Sequence, residues 1–89
     1  MEITEKFKVL NQLGFHLRAA AKFASVCARF KCSVLVKTHH HQADGKSVIS
    51  LLTLAASCGT ELTITFEGED AWNAHAAIQN LFLTKFGEN

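Results

Sequence analysis

Apolar and polar residues alternate along three parts of the chain, and this pattern predicts three half-buried β-strands. The alternation is regular over 60–66 and looser over 2–10 and 33–38. Successive side chains of a strand point to opposite faces, so each segment turns one apolar face toward a core. A fourth, short strand is expected at 42–43, after a turn at three consecutive histidines. The predicted core positions on the strands are Ile3, Phe7, Val9, Val34, Val36, Leu62, Ile64 and Phe66.

Two longer segments carry apolar residues at helical spacing. Residues 17–30 and 70–86 each place apolar side chains three and four positions apart, which predicts two amphipathic helices. Asp70 is expected to cap the second of them. The predicted core positions on these helices are Ala20, Phe23, Ala24, Cys27, Phe30, Ala74, Ile78, Leu81 and Phe82.

The segment 47–56 is predicted to form a short third helix, because Ser47 suits an N-cap and Gly59 closes the segment. A strand over 48–52 remains an alternative. The segment has more apolar residues than one buried face can hold, so at least two of them should be exposed. An exposed apolar patch on a small domain usually marks a partner site. The residues concerned are Val48, Ile49, Leu51, Leu52 and Leu54.

The predicted elements follow the order β-α-β-β-α-β-α, which indicates a two-layer α+β fold with helices packed on a sheet. The chain has 89 residues, of which 48% are hydrophobic, and this suits a single domain over residues 1–89. No internal repeat or linker is visible.

Composition argues against several classes of protein. No apolar run approaches the roughly 20 residues that a membrane span requires. Residues 1–6 are charged and do not resemble a signal peptide, so a cytoplasmic protein is expected. Cys27, Cys32 and Cys58 lack the spacing of a metal or redox site and are interpreted as reduced thiols, with Cys27 in the core. The net charge of +1 is too small to indicate nucleic-acid binding.

The charges are unevenly distributed along the chain. Residues 1–46 carry eight Lys/Arg and three Asp/Glu, a net charge of +5, whereas residues 47–89 carry a net charge of −4. If the basic residues share a face with the functional site, they would steer an acidic protein partner toward it.

The stretch Gly14-Phe15-His16-Leu17-Arg18 carries the strongest chemical signal in the chain. His16 lies where an irregular segment enters the first helix, and Arg18 follows in the first helical turn. The free N–H groups and the dipole of such a turn attract anions. Because a neutral imidazole is a good nucleophile, the sequence predicts a histidine that becomes phosphorylated.

Two other motifs give weaker signals. Gly45-Lys46-Ser47 resembles the end of a phosphate-binding loop, but the first glycine that this motif requires is replaced by His40. The three histidines 39–41 are adjacent, so their side chains point in different directions and converge poorly on one metal ion. No metal site and no cofactor are therefore predicted.

At these motifs the chain resembles the HPr family, the phosphocarrier proteins of the bacterial phosphoenolpyruvate:sugar phosphotransferase system. The resemblance covers essentially the whole chain. It implies an open-faced β-sandwich in which three helices pack on one face of a four-stranded antiparallel sheet. The matching motifs are Gly14 to Arg18, Lys46-Ser47, and Gly59-Thr60 through Glu67-Gly68-Glu69-Asp70.

The resemblance also implies a role for individual residues. The histidine matching His16 accepts a phosphoryl group on Nδ1 from enzyme I and passes it to an EIIA-type protein, and the arginine matching Arg18 stabilises the phosphate. The serine matching Ser47 is phosphorylated by a dedicated kinase in some members. The protein would then be a monomeric carrier and not an enzyme. Partner contacts are expected at Phe15, Leu17, Lys22, Val48, Ile49 and Leu52.

Three positions depart from the family pattern. Phe15 stands in place of an aliphatic residue, Leu17 in place of a small residue, and Ala19 in place of proline. Since His16 and Arg18 are retained, these departures suggest altered partners.

Two alternative functions stay open at this stage. One is a regulatory binding module of the same fold, with phosphorylation of Ser47 as its switch and His16 idle. The other is a small metal- or ligand-binding α+β domain that uses the histidines 39–41.

Overall fold

A four-stranded sheet with three helices on one face makes up the computed structural model, which describes residues 1–88. The strands are β1 (Glu2–Lys8), β2 (Ser33–Lys37), β3 (Gln42–Asp44) and β4 (Glu61–Glu67). The helices are α1 (Leu17–Cys27), α2 (Val48–Leu52) and α3 (Ala71–Leu83), followed by a short 3₁₀ turn at Lys85–Gly87. The strand order is β1-β4-β2-β3 and every neighbouring pair is antiparallel, which confirms the predicted open-faced α+β fold.

The core lies between the sheet and the helices, where the sequence pattern placed it. Every predicted core position on the strands is buried, and so are those on the helices except Phe30 and Leu81, which are partly buried. Burial raises the pKa of the Cys27 thiol to about 12, so this group stays protonated and packs as a small apolar side chain.

The first two helices are shorter than predicted. α1 ends at Cys27 and not at residue 30, and α2 ends at Leu52 and not at residue 56. The amides of Arg29 and Phe30 after α1, and those of residues 53–55 after α2, bond to carbonyls three positions earlier, a tightening that commonly ends a helix. The alternative strand over 48–52 is wrong. Across residues 1–88, no helix combines the length and the hydropathy needed to cross a lipid bilayer.

The last helix also ends early, at Leu83 and not at Phe86. Lys85 and Phe86 have φ angles of +54° and +58°, in the left-handed region that a continuing right-handed helix does not use. The chain therefore turns sharply after α3 and runs back toward the start of α1.

Asp70 stabilises a different part of the fold from the one predicted. It occupies the N-cap position of α3, but its side chain makes no hydrogen bond to that helix. The carboxylate accepts hydrogen bonds from the amides of Lys31 at 2.8 Å and Cys32 at 2.9 Å. These bonds, first that from Lys31, hold the pKa of Asp70 below its ordinary value. Asp70 thus ties α3 to the loop before β2.

His75 fixes α3 against the edge of the sheet. Its side chain is only 9% exposed, and Nε2 lies 2.6 Å from Oε2 of Glu5 on β1. The rings of Phe7, Phe66 and Trp72 surround the imidazole, with centroids 5.6–5.9 Å from it. This contact sets the position of the helix from which the chain returns to α1.

Candidate functional site

His16 is held at the N-cap of α1 by a tight turn. Its φ and ψ are extended, and its carbonyl accepts the first helical hydrogen bond, from Ala20 at 2.9 Å. The turn before it is closed by a bond from the Gly14 amide to the Asn11 carbonyl at 3.1 Å. The Phe15 amide bonds to the Ala56 carbonyl at 2.8 Å. The loop after α2 therefore positions the imidazole.

Gly14 is required by this turn, and its replacement should destabilise the protein strongly. Its φ is +72°, and a Cβ would lie 2.8 Å from the Ala56 carbonyl oxygen and 2.9 Å from Ser57 Cα. We expect Gly14→Ala to cost about 3 kcal/mol of unfolding free energy, since left-handed strain and a backbone clash combine. Gly59→Ala is the matched control, because its φ of +93° brings strain without any atom within 4 Å. Urea denaturation of both variants measures the difference, and equal losses would contradict the role of the clash.

The two ring nitrogens of His16 have different partners. Nδ1 accepts a hydrogen bond from the Arg18 amide at 3.3 Å, in the first turn of α1. Nε2 lies 2.8 and 2.9 Å from the two carboxylate oxygens of Glu88. Since a carboxylate only accepts hydrogen bonds, this network assigns the proton to Nε2 and leaves the Nδ1 lone pair facing the helix N-terminus.

Residues 84–88, called here the 84–88 segment, place the Glu88 carboxylate next to Nε2 of His16. Phe86 anchors it: the ring is 1% exposed and packs against Phe15 and Phe82, with centroids 5.6 and 5.0 Å away. Burying such a ring stabilises the turn by roughly 2–3 kcal/mol. Lys22 of α1 adds a hydrogen bond from Nζ to the Phe86 carbonyl at 2.7 Å. The segment is thus fastened to α1 and to the core.

Glu88 and Asn11 belong to the site although the sequence pattern did not single them out. Asn11 is fully buried, and its Nδ2 donates to the Gly14 carbonyl at 2.6 Å and to Glu88 Oε1 at 2.8 Å. Arg18 Nη2 lies 3.4 Å from Glu88 Oε2. Both are polar residues outside the helices and strands, where the spacing of apolar residues carries no signal.

The hydrogen bonds from Asn11, and next that from His16, hold the pKa of Glu88 below its ordinary value. The ionised carboxylate therefore adds stability above the pH at which an unfolded glutamate titrates. That contribution is lost as the pH falls through the lowered value of the folded protein.

The predicted partner residues divide into exposed and buried ones. Leu17 is 64% exposed and Ile49 77%, and Leu52 is also exposed, whereas Val48 is partly buried. The expectation that at least two apolar residues of the α2 segment are exposed is therefore confirmed. The prediction that Phe15 contacts a partner is wrong, because its side chain is 4% exposed and packs inward on Phe23 and Phe86. Lys22, the remaining predicted partner residue, is exposed, and its ammonium group donates a hydrogen bond to the 84–88 segment.

The predicted regulatory serine lies at the start of α2. Ser47 is its N-cap, as predicted, and Oγ accepts a hydrogen bond from the Ser50 amide at 3.2 Å. α2 packs against α1, so Ser47 and the exposed residues of α2 belong to the helical layer that also carries His16.

The histidines 39–41 lie in the turn between β2 and β3, and all are exposed. Within residues 1–88 no three His, Cys, Asp or Glu side chains come together in a way that would hold a metal ion. The arrangement gives the metal-binding alternative no support.

A family model, individual proteins and solved structures all match this chain to the same kind of protein. The family described as "PTS HPr component phosphorylation site" matches residues 3–84. The chain is 40% identical to the phosphocarrier protein HPr of Pseudomonas aeruginosa, over 99% of this chain and 94% of that protein. It is 34% identical to the HPr of Treponema pallidum, over 97% and 98%. Among solved structures, HPr-C-His from Thermoanaerobacter tengcongensis superposes with a TM-score of 0.89 at 29% identity, covering 100% of this chain and 98% of that one.

Proposed function

Because this chain belongs to the HPr family of phosphocarrier proteins, we propose that His16 is the residue that carries the phosphoryl group, bonded through Nδ1. As a member of this family, the protein is a carrier of the phosphotransferase system and not a catalyst. The observation that supports His16 best is its pair of hydrogen bonds. The bond to Glu88 places the proton on Nε2, and the bond from the Arg18 amide shows that Nδ1 is unprotonated, with its lone pair directed at the N-terminus of α1.

The transfer step follows from this protonation state. The Nδ1 lone pair attacks phosphorus, and the bond from phosphorus to the donor's leaving atom breaks. Nε2 keeps its proton, so the phosphorylated ring is a cation that the Glu88 carboxylate balances across 2.8–2.9 Å. When the group moves on, the same proton lets His16 leave as neutral imidazole. That makes it a better leaving group than an imidazolate.

Arg18 and the helix amides hold the phosphoryl oxygens in this proposal. The Arg18 guanidinium is 63% exposed and makes its contact to Glu88 at a long 3.4 Å, so it is free to turn toward a phosphate on Nδ1. The Arg18 amide, now bonded to Nδ1, would donate to a phosphoryl oxygen instead. The stabilisation stays moderate because the site is open to solvent, and this suits a group that must be passed on.

The proposed partners are enzyme I as donor and an EIIA-type protein as acceptor. Leu17 supplies exposed apolar surface next to His16 in the chain, and Arg18 supplies charge. Ile49 and Leu52 supply further exposed apolar surface on α2, which packs against α1. We also propose that a single chain suffices, since every group of the site comes from residues 11–88 of one chain. The proposal also includes a single domain over residues 1–89 and a cytoplasmic location, as expected from the sequence.

The direct test is incubation with phosphoenolpyruvate, enzyme I and Mg²⁺, followed by intact mass spectrometry. One phosphoryl group should be added, and it should be labile to acid and stable to alkali, as expected for phosphohistidine. Nuclear magnetic resonance of the ring would place it on Nδ1 of His16. Absence of labelling with an active enzyme I, or a label on Nε2, would refute the assignment.

Phosphorylation of Ser47 by a kinase is proposed as a regulatory input, and Ser47→Asp should mimic it. The added charge lies beside the exposed apolar residues of α2, so an acidic donor docking there is repelled. We expect an apparent KM for enzyme I about fivefold higher at low salt, and a smaller effect at high salt, since exposed charges are screened over about 8–10 Å. Ser33→Asp, an exposed site at the far end of the sheet, controls for net charge. Equal KM values for the two variants would reduce Ser47 to a helix cap.

A further inference from the structure

Three lysines lie at one end of the sheet. They do not belong to the site described above, but they are at the same end of the molecule as His16. Lys8 is the last residue of β1 and lies opposite Glu61, the first residue of β4, in the strand register. Lys6 and Lys37 are both paired with Thr63, so they lie in one row across the outer face of the sheet. The sheet end formed by Lys6, Lys8 and Lys37 is called here the basic sheet end.

Backbone hydrogen bonds connect this sheet end to His16. Val9, directly after β1, bonds to Gly59 and Thr60 at 2.7 and 2.9 Å, which closes the sheet at that end. The loop that leads to Gly59 also carries Ala56, whose carbonyl holds the Phe15 amide. His16 and the basic sheet end are therefore on either side of one short loop layer.

The opposite end of the sheet carries both carboxylates and cations. Glu2 of β1 faces Glu67 of β4 directly across the ladder. Glu69 and Asp70 follow in the turn that leads to α3. Arg29, Lys31 and Lys46 also lie at this end, since the Lys31 amide bonds to Asp70 and the Lys46 ammonium bonds to the Phe30 carbonyl. These cations offset much of the carboxylate charge, so the uncompensated charge lies mainly at the basic sheet end.

The cations of the basic sheet end are largely uncompensated. Lys6 lies 3.8 Å from Glu61, but the two side chains are 69% and 59% exposed, so the pair is weak. Within residues 1–88, Lys8 and Lys37 form no ion pair. On the four described strands, the outer face also lacks Phe, Tyr and Trp side chains on which nucleic-acid bases would stack.

We infer that the basic sheet end orients an acidic protein partner so that its docking face meets the His16 end of the molecule. The inference rests on the proposed function and extends the partner surface beyond α1 and α2. Lysines placed in this way act on the rate of encounter and not on the chemical step, because none of them touches His16. The far end, where cations and carboxylates offset each other, offers no comparable attraction.

The test compares two double variants that change the net charge equally. Lys8→Gln with Lys37→Gln removes two cations from the basic sheet end. Arg29→Gln with Lys31→Gln removes two exposed cations beyond the far end of α1. The second-order rate constant for phosphoryl transfer from phosphorylated enzyme I is measured at about 20 and about 300 mM NaCl, where the screening length differs roughly fourfold.

We expect the sheet-end variant to lose about three- to fivefold in this rate constant at low salt and little at high salt. The Arg29/Lys31 control should lose clearly less, and the rate at saturating enzyme I should be unchanged in both. Equal losses in the two variants would mean that only net charge matters, and a sheet-end variant equal to the parent would also overturn the inference. If the parent accepts no phosphoryl group, the proposed function fails, and stopped-flow association with enzyme I still tests the steering by itself.

Discussion

A His16→Ala variant should accept no phosphoryl group from enzyme I, whereas the parent protein takes up one. The loss is expected to be complete, because the nucleophile itself is removed and nothing else in the first turn of α1 can form the bond. His16 also serves as an N-cap through Nδ1, so the alanine variant should lose up to about 1 kcal/mol of stability. Intact mass spectrometry of the labelled proteins is the measurement.

Two further variants separate chemistry from folding. His16→Asn keeps a side chain that caps helices well, so it should restore the stability without restoring the label. His40→Ala removes an exposed histidine of the β2–β3 turn and should be labelled like the parent. An acid-labile label that survives in both His16 variants would place the phosphoryl group on another histidine and would contradict the assignment.

The sheet and its core were predictable from the sequence because alternation is a local signal. Within 60–66 the alternation alone shows which side chains face the core. The observed pairing of β4 with β1 and β2 is consistent with that assignment. His16 was predictable for a similar reason, since the residues that define a helix N-terminus are its immediate neighbours. The helix ends were harder, because i→i−3 bonds end α1 and α2 without any glycine or proline inside them.

The rest of the site depends on contacts between distant parts of the chain. Glu88 reaches His16 across 72 positions of sequence. That approach requires left-handed conformations at Lys85 and Phe86, two residue types that give no sign of a turn. Phe15 was assigned to the partner surface partly for the same reason: one of the two rings that bury it belongs to Phe86, and the other to Phe23.

Glu88→Gln should slow phosphoryl transfer about tenfold while leaving the fold intact. The substitution keeps the size of the side chain and removes the charge that faces Nε2 of His16. Neutral glutamine presents both an acceptor and a donor, so the proton of the ring is no longer confined to Nε2. Removing the carboxylate that orients a metal-ligating histidine costs roughly 10- to 100-fold in affinity or activity, and the lower end of that range is expected for this metal-free ring.

Two measurements and one control decide what Glu88 does. The ¹⁵N shifts of the His16 ring should show one dominant tautomer in the parent, with the proton on Nε2, and a mixture in Glu88→Gln. The transfer rates to and from His16 should fall together with that population. Glu61→Gln, compared at about 300 mM NaCl where steering by surface charge is screened, is the control, since it removes an exposed carboxylate at the same end of the molecule without touching the ring. A Glu88→Gln variant that transfers faster than the parent would show that the carboxylate competes with the phosphoryl group for Arg18, 3.4 Å away, and the orienting role would be wrong.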